Sequence, residues 1–290
     1  MSWFIVFSAF SLAATYGLLA IGISLTWASL GMLNLAQGFT FAVSGYGAWT
    51  MSGVTTHPVA VMGAGLAAGA TCGVVVSLLA FVPLHDRPNF QVRSLVVTLA
   101  ISLIGTQLLQ QHYGPQVKPL PKLFGDGKLE LSGAVLTSDK TGAIVVATVV
   151  LATLVIWMRI SRRGVQLRAM MQDPQGAALV GVSIRTTAVM VMAGTGALAG
   201  LASVLLAQTY FVSPQSGAQP LTKGLVIALL GGLGSISGAV IAAIMVGFTE
   251  ALTADHLGGQ YVLITQFALV IVVLLFRPRG IGGLFDEISE

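Results

Sequence analysis

The stretch LLGGLGSISGAVIAA at residues 229–243 is the first place in this sequence where residue types suggest chemistry. Glycine-rich loops hold phosphate by offering bare backbone N–H groups, and this stretch carries Gly231, Gly232, Gly234 and Gly238 with Ser235 and Ser237. A phosphate loop closes with Gly-Lys-Ser/Thr, and no lysine follows here. The dinucleotide fingerprint asks for a third glycine where Ser237 stands. No charge occurs from Gly224 to Thr249, so the flanks suit lipid instead of a soluble strand–helix unit. Two readings remain: small residues that allow close helix packing, or a broken helix whose exposed backbone lines a substrate path.

A second polar island is NLAQG at residues 34–38. Asn34 and Gln37 are three apart, which puts both amides on one face of a helix, beside Gly38. Buried amides need partners. Interhelical hydrogen bonds meet that need, and so does a polar wall along a translocation path.

The third candidate is the loop RISRRGVQLRAMMQDPQGAALVGVSIR, residues 159–185. Asp173 followed by Pro174 is a strong helix start, with Asp as N-cap and Pro in the first turn. Gly181 is a good stop. The short apolar helix between them (Ala177, Ala178, Leu179, Val180) is not stable alone and needs a surface to pack on, its own bundle or a docked protein.

No covalent chemistry emerges. No acid–base pair or Ser–His–Asp set is placed together by spacing, so no catalytic residue is assigned. His57, His85, His112 and His256 are scattered and Cys72 is the only cysteine, so no disulfide and no metal site is expected. The formal charge of +4 follows membrane edges and forms no nucleic-acid stripe.

These candidates must be positioned by membrane helices. Of the 290 residues, 55% are hydrophobic and 8% charged, which excludes an ordinary soluble domain. No charge precedes Asp86, and further charge-free runs cover 94–117, 141–158, 186–222, 224–249 and 256–276. The fold class expected is all-α: a polytopic membrane helix bundle in one domain, residues 1–290. Spans are read at about 3–27, 32–51, 59–82, 94–112, 142–158, 188–210 and 260–276, with a split one within 221–252, giving about eight spans with a broken re-entrant segment. The membrane runs contain no Asp, Glu, Lys or Arg, which argues against an ion-coupled secondary carrier and for an external energy source.

Arg87 and Arg93, then Arg159, Arg162, Arg163, Arg168 and Arg185, then Arg277 and Arg279 mark cytoplasmic segments by the positive-inside rule. Residues 159–187 form a cytoplasmic loop, 277–290 a cytoplasmic tail and 113–140 an external loop. Two ordinary spans after 188–210 would strand the tail outside. A chain that enters the membrane, breaks within Gly231–Gly238 and returns removes the conflict. The N-terminus is then external. Gly38 and Gly47 share the nine-residue spacing of Gly238 and Gly247, which suggests a weak parallel internal repeat.

Four pieces together, LTWASLGMLNLAQGFTFAVSGYGAW (25–49), RRGVQLRAMMQDPQGAALVGVSIR (162–185), LLGGLGSISGAVIAAIMVGFTEAL (229–252) and LLFRPRGIGG (274–283), resemble the permease subunits of branched-chain amino acid (LIV-type) ABC importers. They lie in family order along nearly the whole chain and look like the first, H-type, member of the permease pair. Gln37 stands where many members have a histidine. The resemblance implies no enzyme activity or cofactor of its own, with ATP bound by partner subunits. It implies a homologous second permease, two cytoplasmic ATPases, an external substrate-binding protein and a multi-pass place in the bacterial inner membrane. It implies coupling to the ATPase through Gly164, Arg168, Ala169, Asp173, Ala177, Leu179 and Gly181, and a path along Asn34, Gln37, Gly38 and the Gly231–Gly238 break. Branched-chain amino acids are the expected cargo; urea and short amides use similar permeases.

Overall fold

The computed structural model describes residues 3–125, 127–131 and 134–282, so part of the expected tail, 283–290, lies outside the described residues. Helix α1 (Trp3–Leu30) is one uninterrupted apolar run. It stops at Gly31, whose φ of +63° is a left-handed conformation that glycine adopts without steric cost. After a non-helical segment, α2 (Gln37–Ser52) follows. Helix α3 (Pro58–Val76) passes through a π-helical turn (Ser77–Phe81) into one further turn, α4 (Val82–Leu84). Pro83 has no N–H to continue the ladder, and the widened turn lies just ahead of it. Helix α5 (Phe90–Tyr113) leads to a small antiparallel ribbon of β1 (Lys128–Leu131) and β2 (Ala134–Thr137), with Lys128 opposite Thr137. The bundle is α-helical as expected, and the 113–140 segment adds only this ribbon.

Helix α6 (Ser138–Ile160) is followed by α7 (Arg162–Gln172), α8 (Pro174–Leu179) and α9 (Ile184–Ala207). Helices α10 (Ala218–Gly231), α11 (Ile236–His256) and α12 (Val262–Phe276) complete the chain. Among the described residues, 7 helices are long and apolar enough to cross a membrane. Helices α2 and α10, with 16 and 14 residues, are not among them; at about 1.5 Å per residue they reach about 24 and 21 Å, short of the roughly 30 Å hydrocarbon layer. The span expected at 32–51 is thus a shorter helix that begins at Gln37.

Helices α1 and α9 are central, while α5, α6 and α12 turn most of their surface outward. That outward surface carries Val96, Leu103, Ile104, Val149, Ile271 and Leu275. An apolar exterior of this kind is a lipid-facing one. Between helices, glycines decide the approach. A Cβ on Gly65, Gly69 or Gly73 of α3 would fall onto α9 at Val204, at the Gly196 carbonyl or at the Met192 carbonyl. Gly196 and Gly200 answer them from α9. This is small-xxx-small packing on both partners, which brings backbones together where lipid offers no hydrophobic drive. Helix α1 packs on α11 in the same way, with Gly17 beside Ala243 and Gly247 against Ala9 and Ala13.

The arginine-bearing segments gather at one end of the bundle. Arg185 reaches Asp86 across 3.3 Å, joining the 85–93 loop to the first turn of α9. Leu167 and Met170 of α7 share a core with Leu30 at the end of α1. The opposite end carries the ribbon, the Lys118–Val212 backbone bridge and the Lys140–Ser8 hydrogen bond of 2.7 Å.

Candidate functional site: two chain breaks and a buried charge pair

The glycine stretch is a hairpin turn between α10 and α11. Gly232 and Gly234 have φ of +87° and +97°. Ser235 caps α11, its hydroxyl accepting from the Gly238 N–H at 3.0 Å. A Cβ on Gly231 would meet the Ala239 nitrogen at 2.6 Å, and one on Gly238 would fall on the Gly231 carbonyl. The chain after α12 seals the turn: the Ile281 N–H donates to the Leu230 carbonyl at 2.9 Å. Gly234 lies beside Ala28 in the last turn of α1. The chain thus does turn back at the glycines, and Arg277 and Arg279 follow α12 to that same end. Gly232 is buried, Ser235 is half-buried and Ser237 is exposed.

A second break differs from the helix face predicted for Asn34 and Gln37. Asn34 lies in the non-helical segment and Gln37 opens α2. The Asn34 Oδ1 accepts from the Ala36 N–H at 3.0 Å, a local turn that competes with helix. The Asn34 Nδ2 donates to the Gln37 Oε1 at 3.2 Å, and the Gln37 Nε2 donates to the Thr195 carbonyl of α9 at 2.9 Å. The Leu35 N–H donates to the Thr98 hydroxyl of α5 at 3.2 Å. Non-helical backbone at membrane depth is tolerated where protein satisfies it, and this one is tied to α5 and α9. A Cβ on Gly38, the next residue, would meet the Gly217 carbonyl at 3.0 Å. Gly38/Gly47 and Gly238/Gly247 thus sit on helices that each follow a break, with different neighbours.

The residues of the 159–185 loop fold as their types require. Ser161 caps α7 by accepting from the Gly164 N–H at 2.9 Å, and a Cβ on Gly164 would crowd the Trp157 carbonyl at 2.5 Å. Asp173 is both the stop of α7, donating its N–H to the Ala169 carbonyl at 3.0 Å, and the N-cap of α8. Its Oδ1 accepts from the Gln175 N–H at 2.9 Å. Gly181 has φ of +89°, and the Val182 N–H closes back on the Ala177 carbonyl at 3.0 Å. Ala177 is buried under the helix, while Leu179 and Val180 are 89% and 80% exposed. Arg168 is exposed on α7.

The expectation of membrane runs without ionisable residues is overturned. Lys223 of α10 and Glu250 of α11 are both buried, and the Lys223 Nζ meets the Glu250 Oε1 at 2.6 Å. The Nζ also donates to the Tyr16 hydroxyl of α1 at 3.0 Å and stands 4.6 Å from that ring's centre. The Gln266 Nε2 of α12 donates to the Glu250 Oε2 at 2.8 Å. One network therefore joins α1, α10, α11 and α12. The two charges bound the charge-free run 224–249. The missed signal was their near-symmetric placement about the glycine turn, which a hairpin folds face to face. Among the described residues no cluster of His, Cys, Asp or Glu forms a metal site.

Chain breaks inside a multi-pass bundle, with polar groups satisfied between helices, define a membrane transport protein. The family model described as "Branched-chain amino acid transport system / permease component" matches residues 5–274, and the chain belongs to that family. It is similar to the high-affinity branched-chain amino acid transport system permease protein LivH of Escherichia coli K12, 32% identical over 96% of this chain and 94% of that one. BraD of Pseudomonas aeruginosa, named in the same terms, is 30% identical over 94% and 93%. A probable branched-chain amino acid transport permease protein, LivH, of Methanocaldococcus jannaschii is 29% identical over 92% and 88%. The fold is shared with PsaBC from Streptococcus pneumoniae in complex with Fab, at TM-score 0.54 and 12% identity, covering 98% of this chain and 94% of that one. The chain is accordingly a membrane-embedded, H-type permease component of a multi-subunit ABC transport system.

Proposed function

We propose that this chain pairs with a homologous permease to form the channel of an ATP-driven importer. It moves branched-chain amino acids handed over by an external binding protein. Two cytoplasmic ATPases supply the energy, and the chain binds no cofactor itself. The observation that carries this reading is α8: a capped six-residue helix that holds Leu179 and Val180 out from the arginine-rich end. Two exposed apolar side chains on a helix too short to stand alone call for a receiving groove. With that end cytoplasmic, the N-terminus and the ribbon are external, in the bacterial inner membrane. Gly164, Arg168, Ala169, Asp173, Ala177, Leu179 and Gly181 form the coupling element, and closure of the ATPases moves it. The Gly231–Gly238 turn rests on the end of α1 and on the chain after α12, so a push at this end reaches α10 and α11. Asn34, Gln37 and Gly38 hold the second break, from which α2 swings.

The test is uptake of labelled leucine into vesicles holding both permeases and the ATPases. Uptake is expected to need ATP and the binding protein. Uptake by this chain alone, driven by an ion gradient, overturns the reading.

A further inference from the structure

Lys223 of the buried charge pair opens onto a cavity. A hollow of about 430 Å³ lies between α1, α2, α9, the 210–217 segment and the first turns of α10, and Lys223 and Tyr16 are part of its wall. A lysine pulled out of water into a bundle is expensive, and Glu250 offsets its charge without filling its donors. The ammonium has three N–H groups. Glu250 and the Tyr16 hydroxyl take two of them, and the third is left for a ligand. The first turn of α10 (Ala218, Gln219, Pro220) also lines the hollow, so the positive end of that helix adds to the lysine. The rest of the wall is mixed: Phe41, Leu206 and Val212 are apolar, while Ser203, Ser213 and Gln219 are polar. The Gln266 Oε1, on the far side of Glu250, is buried without a hydrogen-bond partner.

We propose that this cavity is an amino acid seat, in which Lys223 and the Tyr16 hydroxyl hold the carboxylate of a free α-amino acid and the apolar wall receives its side chain. The inference rests on the importer reading and adds the cargo contact. The ion pair sets the ligand class. Lysine and glutamate together are neutral, so a zwitterion enters without adding net charge to the membrane interior. An amide or alcohol of the same shape offers the third N–H only a neutral acceptor and enters with an ammonium that no carboxylate balances. A second cation meets an ammonium and a helix N-terminus, which repel it. Glu250 keeps Lys223 aimed when the seat is empty, and Gln266 fixes Glu250.

The test uses the permease pair with its ATPase subunits in vesicles, without binding protein. Gln219→Cys in a Cys72→Ser background places a reactive thiol on the cavity wall. L-leucine is expected to slow its modification by an impermeant thiosulfonate, and leucinamide and leucinol are not. In Lys223→Met/Glu250→Gln, which removes both charges at once, leucine protection is expected to weaken about tenfold or more, the usual cost of a charge-assisted hydrogen bond. Lys223→Arg keeps measurable protection. Equal protection by leucine and leucinamide, or full leucine protection in the doubly neutral variant, overturns the seat. The comparison of ligands on the otherwise unaltered chain needs no further substitution, so it decides even if the neutral variant fails to fold. A purely structural clamp predicts that the doubly neutral variant, once folded, transports as before. Uptake by the complete importer, measured in parallel, keeps the two claims separate: its absence counts against the importer, and uptake with indiscriminate protection counts against the seat alone.

Discussion

Gly69 shows what a single missing methyl group does in this protein. Its Cβ position is already occupied by the Gly196 carbonyl, so any side chain must push α3 and α9 apart. Gly69→Ala is expected to cost about 1–3 kcal/mol, the range for overpacking a tight contact. Gly194→Ala, with nothing within 4 Å of the added carbon, is expected to leave stability unchanged or slightly raised, because alanine favours helix by ~1 kcal/mol. Thermal unfolding of the two variants in detergent compares them directly, and equal midpoints would show that the glycine contact is loose. Gln37 belongs at this scale too. Replacing it with leucine removes the bond to the Thr195 carbonyl and is expected to cost about 0.6–2 kcal/mol, the range for one interhelical hydrogen bond in a membrane.

At the scale of elements, α8 and the α10–α11 hairpin make separable predictions. A β-branched residue is strained at the positive φ of Gly181. Gly181→Val is expected to let the ATPases hydrolyse ATP while uptake falls, with insertion unaffected; normal coupling would remove α8 from the transmission path. Asp255 sits in the last turn of α11, at the end of the bundle remote from the arginines. Asp255→Cys is expected to react with an impermeant thiol reagent added outside. Labelling only from the cytoplasm would invert the proposed orientation. The elements were unequally readable in advance. The caps of α8 and the glycine turn follow from local rules, namely an N-cap acid before proline and glycines at positive φ. The start of α2 did not. Asn34 takes a non-helical place because its side chain closes on the Ala36 N–H and finds Gln37, and because Thr98 accepts the Leu35 N–H. Thr98 is 63 residues away.

Across the whole molecule, the Lys223–Glu250 network is the contact that joins four helices. Lys223→Met alone strands a buried carboxylate and is expected to destabilise the bundle by about 3–5 kcal/mol, whereas Lys223→Met/Glu250→Gln removes both charges and is expected to recover most of that loss. Unfolding midpoints for the single and double variants measure the difference. A single variant as stable as the double would mean that water already solvates Glu250. The candidate site was legible in part. The glycine turn, the capped helix α8 and the polar island were all found by residue type. Their meaning shifted, because Asn34 and Gln37 spend their hydrogen bonds on the protein itself, while Lys223 and Glu250, which the reading of charge-free membrane runs passed over, are a buried pair with Lys223 on the cavity wall.

Local terms carried the sequence reading. Hydropathy placed the chain in lipid, arginines marked one end, and caps and positive-φ glycines marked the stops. Each of these depends on residues a few positions apart, so a one-dimensional pattern contains it. Only the tertiary structure decided which helices meet through glycines, where α2 begins, and that two distant charges neutralise each other beside Tyr16. The Gln37–Thr195 bond spans 158 residues and the Lys223–Tyr16 bond 207. A group buried in lipid must find its partner wherever packing brings one, and sequence spacing does not encode that distance.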